Sequence, residues 1–474
     1  MSNPMMRIFS ILLAILLLLL SPLTLRAADP PPSPRAFDRL KDAYSPYVDP
    51  NDPLAFPAKV RALSADRYAF WRGAKDLFFL WCKNNTQDWL ADKQAYITQE
   101  GDQHLGNVGT YMTGRNFGSL GFGMVDFDDS HRLPFQFELL QGIITLRLAA
   151  EEQKISLDDD QLDRLISTVL ENYEKGANSP NDATELLVDD PIIVHMKIRL
   201  AKKNYAKELN EYTDGMKLRP TAPLRKPKDV FRPAMDKADA IANGIAQAIA
   251  RSPDMIRIFN YHTAADIRVH IRDLAQRTRL GSAGSQGLKK YFVLLNKPLA
   301  GVDHDAILYI KQQVPTAAER SGIIPRDPRP PGQRCAEDME LLSHPPPFLN
   351  GWFQMGNESY WVTLREPWTD ELESDDMRDL AALRHIAKVW ATAAGASHRV
   401  PGEGEMIRKR IGPELSNELR RFSNAYLMKL SADFEDFTSD PRCPPLVATA
   451  NAALDAIKSA RPAPPPTPKA AKDD

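Results

Sequence analysis

Two short clusters of polar residues within residues 97–129 (ITQEGDQHLGNVGTYMTGRNFGSLGFGMVDFDD) constrain the fold of this chain more than any other stretch. The first cluster consists of Asp102, His104 and Asn107, and the second of Asp126, Asp128 and Asp129. Mg²⁺ prefers hard oxygen ligands, usually one or two carboxylates together with substrate phosphates and water. The two clusters therefore indicate a metal and phosphate site in which Asn107 and Asp126 supply oxygens.

The spacing of these residues admits a catalytic and a structural interpretation. An aspartate five residues before an asparagine, followed by an apolar strand that ends in aspartate, is the arrangement used in kinase-type phosphoryl transfer. There the first aspartate orients the attacking hydroxyl, and the asparagine and second aspartate hold the metal. Since Asp, Asn and Gly also favour turns, a simple hairpin between strands at residues 95–98 and 124–127 would use similar residues.

Composition narrows the class of protein without specifying a function. The chain has 474 residues, enough for one large or two to three ordinary domains. Its 60 basic and 62 acidic residues nearly balance, so there is no electrostatic case for nucleic-acid binding. Cys82, Cys335 and Cys443 lie far apart and form no paired zinc motif, so at most one disulfide is expected.

The N-terminus has the pattern of a secretory signal peptide, residues 1–27. Arg7 precedes an apolar run over residues 8–20, and the small residues that follow predict cleavage near Ala27. Because the run is shorter than the roughly 20 residues of a spanning helix, we expect cleavage rather than an uncleaved membrane anchor. The mature protein would be periplasmic or secreted, with residues 28–58 as a proline-rich linker or surface strap.

Helical periodicity dominates residues 59–266, which we expect to form a helical large lobe. Apolar residues recur at helical spacing over residues 67–81 and 162–173. Residues 133–150 are apolar enough to form a buried helix under the acidic clusters. The later part of this lobe, residues 180–266, mixes helical stretches with proline-bearing loops and is expected to be a helical insertion.

From residue 267 the pattern changes to strands, and we expect a small β lobe over residues 267–370. A glycine-rich turn runs into a strand over residues 279–295, and a second strand over residues 306–313 carries Lys311. Glycines let backbone N–H groups approach phosphates closely, and a lysine on the next strand reaches the same oxygens. A predicted helix over residues 332–342 and a hairpin follow, which is the series of a kinase small lobe.

The remaining segments and two single residues carry weaker signals. Helices are expected over residues 371–460, and a disordered tail of proline, alanine and lysine over residues 461–474. Arg72 is either a phosphate ligand or a solvated arginine on a helix flank. His398 either approaches the site or is structural.

Several of these segments resemble a bacterial family of domains of unknown function. They are RYAFWRGA, ITQEGDQHLGNVGTY and MVDFDDSHRLPFQFELLQGI, followed by LGSAGS, LYIKQQ and GQRCAED, within residues 60–400. The resemblance implies a place in the protein-kinase-like superfamily, which also holds the aminoglycoside phosphotransferases. It implies an α+β fold with a helix-rich large lobe and a small antiparallel sheet. The lobe order would be that of a circular permutant, because the glycine turn and lysine follow the catalytic loop here.

The resemblance also implies roles for individual residues. Asp102 looks like the catalytic aspartate, Asn107 and Asp126 like metal ligands, Asp128 like a second acidic ligand and Lys311 like the phosphate-positioning lysine. Gly281 and Gly284 would lie over the nucleotide phosphates, and either Glu337 or Glu340 would pair with Lys311. The implied cofactors are Mg²⁺ and ATP, with a small molecule or protein as the substrate.

Two hypotheses of function follow from the sequence. The first is a Mg²⁺-dependent phosphotransferase in which Asp102 acts as the base. The second is an exported pseudokinase whose cleft binds another ligand or docks a protein. The predicted leader motivates it, since ATP is scarce outside the inner membrane, and so do departures from the expected motif at Glu100, Glu138, Arg279 and Gln312.

Overall fold

The fold is known from a computed structural model that describes residues 35–114, 117–219, 229–279, 284–399 and 403–459. The leader expected over residues 1–27, Gly281 and the tail expected over residues 461–474 lie outside these ranges. All the elements named below belong to one compact unit.

Helices and antiparallel strands both contribute, as expected for an α+β chain. The helices of the described residues are α1 (Ala36–Tyr44), α2 (Ala55–Leu63), α3 (Arg67–Gly73), α4 (Lys75–Asn85), α5 (Gln87–Ala91), α6 (Gln136–Glu152), α7 (Asp159–Ala177), α8 (Ala183–Leu186), α9 (Pro191–Ala201), α10 (Tyr205–Tyr212), α11 (Ala238–Arg251), α12 (Pro253–Ile258), α13 (Ala264–His270), α14 (Ala317–Ser321), α15 (Pro331–Leu342), α16 (Leu380–Ser397), α17 (Glu403–Arg410), α18 (Pro413–Thr438) and α19 (Cys443–Ser459). The strands are β1 (Tyr96–Gln99), β2 (Val108–Met112), β3 (Leu120–Met124), β4 (His131–Pro134), β5 (Asp229–Pro233), β6 (Ile271–Arg279), β7 (Lys290–Leu295), β8 (Ala306–Gln313), β9 (Asn350–Met355), β10 (Glu358–Leu364) and β11 (Asp370–Glu371).

The helical body has one large apolar core, in which α6 is central. α6 is buried on nearly all sides, as its apolar sequence predicts. α7 buries one stripe of side chains at helical spacing, which confirms the periodicity of that segment: Leu162, Leu165, Ile166, Val169, Leu170 and Tyr173. Cys82, Cys335 and Cys443 are buried, and all three are thiols rather than halves of a disulfide. Among the described residues, no helix has the length and apolar character needed to cross a membrane.

The helix expected over residues 67–81 is broken in two at Ala74. The backbone there leaves the helical region, with φ −120° and ψ 34°, so α3 ends at Gly73 and α4 begins at Lys75. The carbonyl of Gly73 accepts a hydrogen bond from the Tyr44 hydroxyl at 2.9 Å. The break places Lys75 in the first turn of α4, where it is only 2% exposed.

Part of the expected linker, residues 28–58, is helical. α1 and the first residues of α2 lie within it, and Phe37 and Leu40 of α1 are buried in the main core. Asp436 of α18 accepts a hydrogen bond from the backbone N–H of Ala36 at 2.7 Å. The proline content hides this structure, because the apolar residues that matter are few and widely spaced.

The strands of the small lobe form one six-stranded antiparallel sheet in the order β5-β6-β7-β8-β10-β9. Most of it lies within the expected residues 267–370. The exception is β5, which comes from residues 180–266 and pairs with β6. The expected helical insertion is therefore not wholly helical.

Helices cover both faces of this sheet. On one face α11 approaches β9 so closely that a side chain at Gly244 would meet the Phe353 ring at 2.4 Å. On the other face α15 packs on β9 and β10, and Gly332 lies against the backbone of Tyr360. The insertion thus has a structural purpose, because α11 buries the apolar face of the sheet.

Two smaller sheets build the loop that carries the acidic clusters. β1 pairs with β4, while β2 lies between β3 and β11. The alternative hairpin between residues 95–98 and 124–127 is wrong, because these segments have different partners. The turn preferences of Asp, Asn and Gly do not by themselves explain the two clusters.

Candidate functional site

The two acidic clusters meet through the β2–β3 hairpin. Val108 pairs with Met124, so the ends of both strands lie side by side, and the N–H of Val125 donates to the carbonyl of Asn107 at 3.0 Å. Gly101 allows the loops to approach, since its φ is +92° and a Cβ there would lie 2.1 Å from the carbonyl oxygen of Asp129. The fold therefore brings together residues that are apart in sequence.

Asn107 is held with its amide oxygen left for a ligand. Its Nδ2 donates to Glu100 Oε1 and to the carbonyl of Asp102, both at 2.8 Å. These bonds use both amide hydrogens and fix which end of the side chain is the oxygen. Glu100 therefore orients Asn107, the predicted metal ligand. Glu100 is one of the residues that depart from the expected motif.

Asp102 lies beside a buried lysine that the sequence did not single out. Lys75 Nζ is 3.1 Å from Asp102 Oδ1, and Gln141 Oε1 accepts from the same ammonium group at 3.1 Å. The ammonium group also stacks over the Trp71 ring, 3.5 Å from its centroid. Burial raises the pKa of Asp102, and the positive charge of Lys75 opposes that rise.

Arg72 and His104 lie on the outer side of Asp102. The Arg72 guanidinium is 3.4 Å from His104 Nε2, which in turn is 3.8 Å from Asp102 Oδ2. Burial, and then the charges of Arg72 and Lys75, hold the pKa of His104 well below its usual range, so the imidazole is neutral at pH 7. Arg72 is exposed, and it faces the cavity described below.

Lys311 links the small sheet to the second acidic cluster. Its Nζ is 3.6 Å from Asp126 Oδ2 and contacts Asp128 Oδ2 directly. Gln313, two residues along β8, donates to Asp128 Oδ1 at 2.7 Å. Enclosure raises the pKa of Asp126 to about 7, and the neighbouring Asp128 carboxylate contributes to the rise. Burial would lower the pKa of Lys311, but the two carboxylates raise it well above its usual value.

The expectation that Glu337 or Glu340 pairs with Lys311 is wrong. Both are exposed on α15, and Glu337 pairs with Arg329 at 3.1 Å. The buried face of α15 presents Arg334 instead, whose guanidinium donates to the carbonyls of Ser130 at 2.6 Å and of Asp128 at 2.7 Å, and to the Ser130 hydroxyl at 2.8 Å. α15 therefore fixes the backbone of the segment between β3 and β4, residues 125–130, which we call the acidic loop.

The described part of the glycine-rich turn between β6 and β7, residues 284–289, borders the same cavity. Gly284 is on the cavity wall, and its carbonyl accepts a hydrogen bond from Lys59 Nζ at 2.8 Å. The carbonyl of Gly287 accepts from the N–H of Asp49 at 3.0 Å. The N-terminal segment thus ties the turn to the helical body.

These groups share one cavity of about 420 Å³ between the sheet and the helical body. The predicted residues on its wall are Asp102, Asn107, Asp126, Asp128, Gly284 and Lys311. Residues on its wall that the sequence interpretation missed include Lys75, Arg277 and Lys290. Lys75 and Lys290 lie in apolar stretches, and a lysine in an apolar stretch is the signal that could have found them.

A buried polar network supports the Asp102 loop from behind. Glu100 Oε2 accepts from the N–H of Asp102 at 3.0 Å and from Gln103 Nε2 at 2.8 Å, and Glu138 contacts the same Gln103 amide. His398 Nε2 is 2.9 Å from Glu138 Oε2 and is fully buried. Neither His398 nor its partner Glu138 lines the cavity, which favours the structural interpretation of His398.

The oxygen atoms present fit a Mg²⁺ ion. Within the described ranges, no three His, Cys, Asp or Glu side chains are grouped so as to hold a metal by themselves. Mg²⁺ does not require such a group, because it is commonly bound by one or two carboxylates together with substrate phosphates and water. Asp126 and Asp128 converge on a single cation, Lys311. Asn107 lines the same cavity, and both hydrogens of its amide are bonded to other groups.

Comparisons with known proteins show the family of this chain. The profile of a family described as "Uncharacterized protein conserved in bacteria (DUF2252)" matches residues 51–440, which is more than half of the chain. No curated protein and no solved structure matches it. The matched residues include both acidic clusters, the six-stranded sheet and α15, and the chain belongs to the DUF2252 family.

Proposed function

We propose that this protein is a kinase-like, Mg²⁺-dependent phosphotransferase with its two lobes in permuted order. The observation that carries the proposal is the position of Lys311, 3.6 Å from Asp126 and in contact with Asp128. A lysine on a strand of a small antiparallel sheet, meeting an aspartate that follows an Asp-x₄-Asn loop, is the arrangement that kinases use on nucleotide phosphates. Asp102 and Asn107 are that loop.

The order of elements in the small lobe supports the same proposal. A hairpin with a glycine-containing turn (β6, β7) is followed by a lysine-bearing strand (β8), a helix (α15) and a second hairpin (β9, β10). The helix takes part differently from a kinase, because Arg334 binds the acidic loop where a glutamate would bind the lysine. The permuted order is compatible with one fold, since domain termini often lie close together.

In the proposed reaction the γ-phosphoryl group moves from ATP to a hydroxyl of the acceptor. The bond from phosphorus to the bridging oxygen of ADP breaks, a bond to the acceptor oxygen forms, and Asp102 accepts the hydroxyl proton. Lys311 binds and orients the phosphates. A Mg²⁺ ion held by Asn107, Asp126 and Asp128 would neutralise charge on the phosphates.

ATP turnover by the protein tests the proposal. With Mg²⁺, ATP and a panel of hydroxyl acceptors, the wild type should release ADP, and Asp102→Asn should release it at least a hundredfold more slowly because the proton acceptor is lost. Asp254→Asn, an exposed residue of α12, is the control and should match the wild type. A wild type that neither turns over nor binds ATP with Mg²⁺ contradicts the proposal.

The second candidate function is an exported pseudokinase that acts as a ligand-binding or docking module. The ties from Lys59 to Gly284 and from Asp49 to Gly287 favour it, because a turn fixed to the helical body has less freedom to close over phosphates. The predicted leader would place the protein in the periplasm or outside the cell. Stabilisation by a non-nucleotide ligand, without any rise in melting temperature with Mg²⁺–ATP, would support this candidate over the first.

A further inference from the structure

Three cationic side chains stand in a row on the cavity face of the small sheet. Lys290 and Lys311 are direct cross-strand partners in β7 and β8, so their side chains point to the same face. Ala275 of β6 pairs with Phe292, and because side chains alternate along a strand, Arg277 shares the face of Lys290. Arg277, Lys290 and Lys311 all line the 420 Å³ cavity.

The three cations are held in place. Lys290 is 5% exposed and Lys311 6% exposed, and Lys290 Nζ donates to the Ser285 hydroxyl of the glycine-containing turn at 2.8 Å. The Arg277 guanidinium lies 5.6 Å from the Phe292 ring centroid and 5.7 Å from that of Tyr309. These contacts help to fix three side chains that all line the same cavity.

Three cations on one face of the sheet attract an anion. Like charges directly opposite each other on neighbouring strands repel, and burial strengthens the repulsion. Asp126 and Asp128 both contact Lys311, and the charge of Lys290 also helps to lower the pKa of Asp128 against the effect of burial. An anionic ligand along the row would offset the repulsion.

The dimensions of the row match an extended anion. Neighbouring strands are about 4.8 Å apart, so three strands span roughly 10 Å, which is longer than a single phosphate group. We propose that Arg277, Lys290 and Lys311 form a cradle for the triphosphate chain of the phosphoryl donor. The transfer of a phosphoryl group rests on the proposed function, but the binding of a triphosphate does not. A nucleoside triphosphate and inorganic tripolyphosphate both carry the row of linked phosphates that the cradle would bind.

Calorimetric titration at fixed ionic strength, with and without Mg²⁺, tests the cradle. Inorganic tripolyphosphate and ATP are titrated into the wild type, Lys290→Met, Arg277→Met and the control Lys297→Met. Lys297 lies just beyond the end of β7 in an exposed surface pair with Asp303, away from the cavity. Melting temperatures show that each variant is folded, and the half-exposed Arg277 serves as the second variant should Lys290→Met unfold.

We expect at least one of the two triphosphates to bind the wild type. Lys290→Met and Arg277→Met should each weaken that binding at least tenfold. The affinity of Lys297→Met should stay within twofold of the wild type. Binding of tripolyphosphate but not ATP would identify an inorganic donor, and tighter binding of ATP would identify a nucleotide. Wild-type affinity in both cavity variants, or no binding of either compound, overturns the cradle. If the wild type turns over ATP but Lys290→Met binds triphosphate with unchanged affinity, only the cradle is overturned. If the wild type binds triphosphate but transfers no phosphoryl group, only the proposed reaction is overturned.

Discussion

The contact between Arg334 and the acidic loop gives a quantitative prediction. Arg334 is 1% exposed, and its shortest hydrogen bonds reach the carbonyl oxygens of Ser130 and Asp128 at 2.6 and 2.7 Å. A hydrogen bond from a charged donor contributes about 1.5–3 kcal/mol. Methionine fills much of the same volume but donates no hydrogen bond. Arg334→Met should therefore lower the free energy of unfolding by about 3–6 kcal/mol, two such bonds.

Urea denaturation of the wild type and Arg334→Met, followed by fluorescence, measures this difference. The matched control is Arg326→Met, because Arg326 is exposed and donates to the Tyr47 hydroxyl. The control should change the free energy of unfolding by no more than about 0.5 kcal/mol. A loss below about 1 kcal/mol in Arg334→Met would refute the view that α15 holds the acidic loop.

Three further predictions concern Glu100, Lys59 and Gly142. Glu100→Gln should lower the free energy of unfolding by about 1–3 kcal/mol in urea denaturation, because one of the three N–H donors to Glu100 loses its acceptor. The same mutation should weaken Mg²⁺–ATP binding in calorimetry. Burial lowers the pKa of Lys59 to about 7 in the folded protein, so above pH 7 the unfolded chain binds more protons than the folded one. The free energy of unfolding should therefore rise by about 2 kcal/mol from pH 7 to 9. Lys59→Met should show no such rise in the same assay. Gly142→Ala should lower the melting temperature, since its Cβ would lie 1.9 Å from the Trp390 ring; an unchanged value would contradict this packing.

Features with a local cause could be predicted from the sequence. The amphipathic stripe of α7 and the apolar run of α6 are set by side chains a few residues apart, and both are confirmed. Lys311 lies 3.6 Å from Asp126, as the kinase-like interpretation of the sequence requires. The α+β class follows from the change of period near residue 267.

Features that depend on distant partners could not be predicted. The helix break at Ala74 involves a hydrogen bond from Tyr44, far away in sequence. Strand β5 is short and is defined by its pairing with β6. Glu337 and Arg334 are three residues apart on one helix, and only the packing of α15 decides that Arg334 faces the acidic loop.

The binding of ATP with Mg²⁺ tests the central claim most directly. Calorimetric titration into the wild type should give saturable, Mg²⁺-dependent binding of one nucleotide per chain. Asp126→Asn should weaken it at least tenfold, because the mutation removes a carboxylate that lies beside Lys311 and would hold the proposed metal. Asp254→Asn should leave the affinity unchanged. Binding that needs no Mg²⁺, or equal affinity in Asp126→Asn and the wild type, would contradict the assignment of this cavity as a phosphotransferase site.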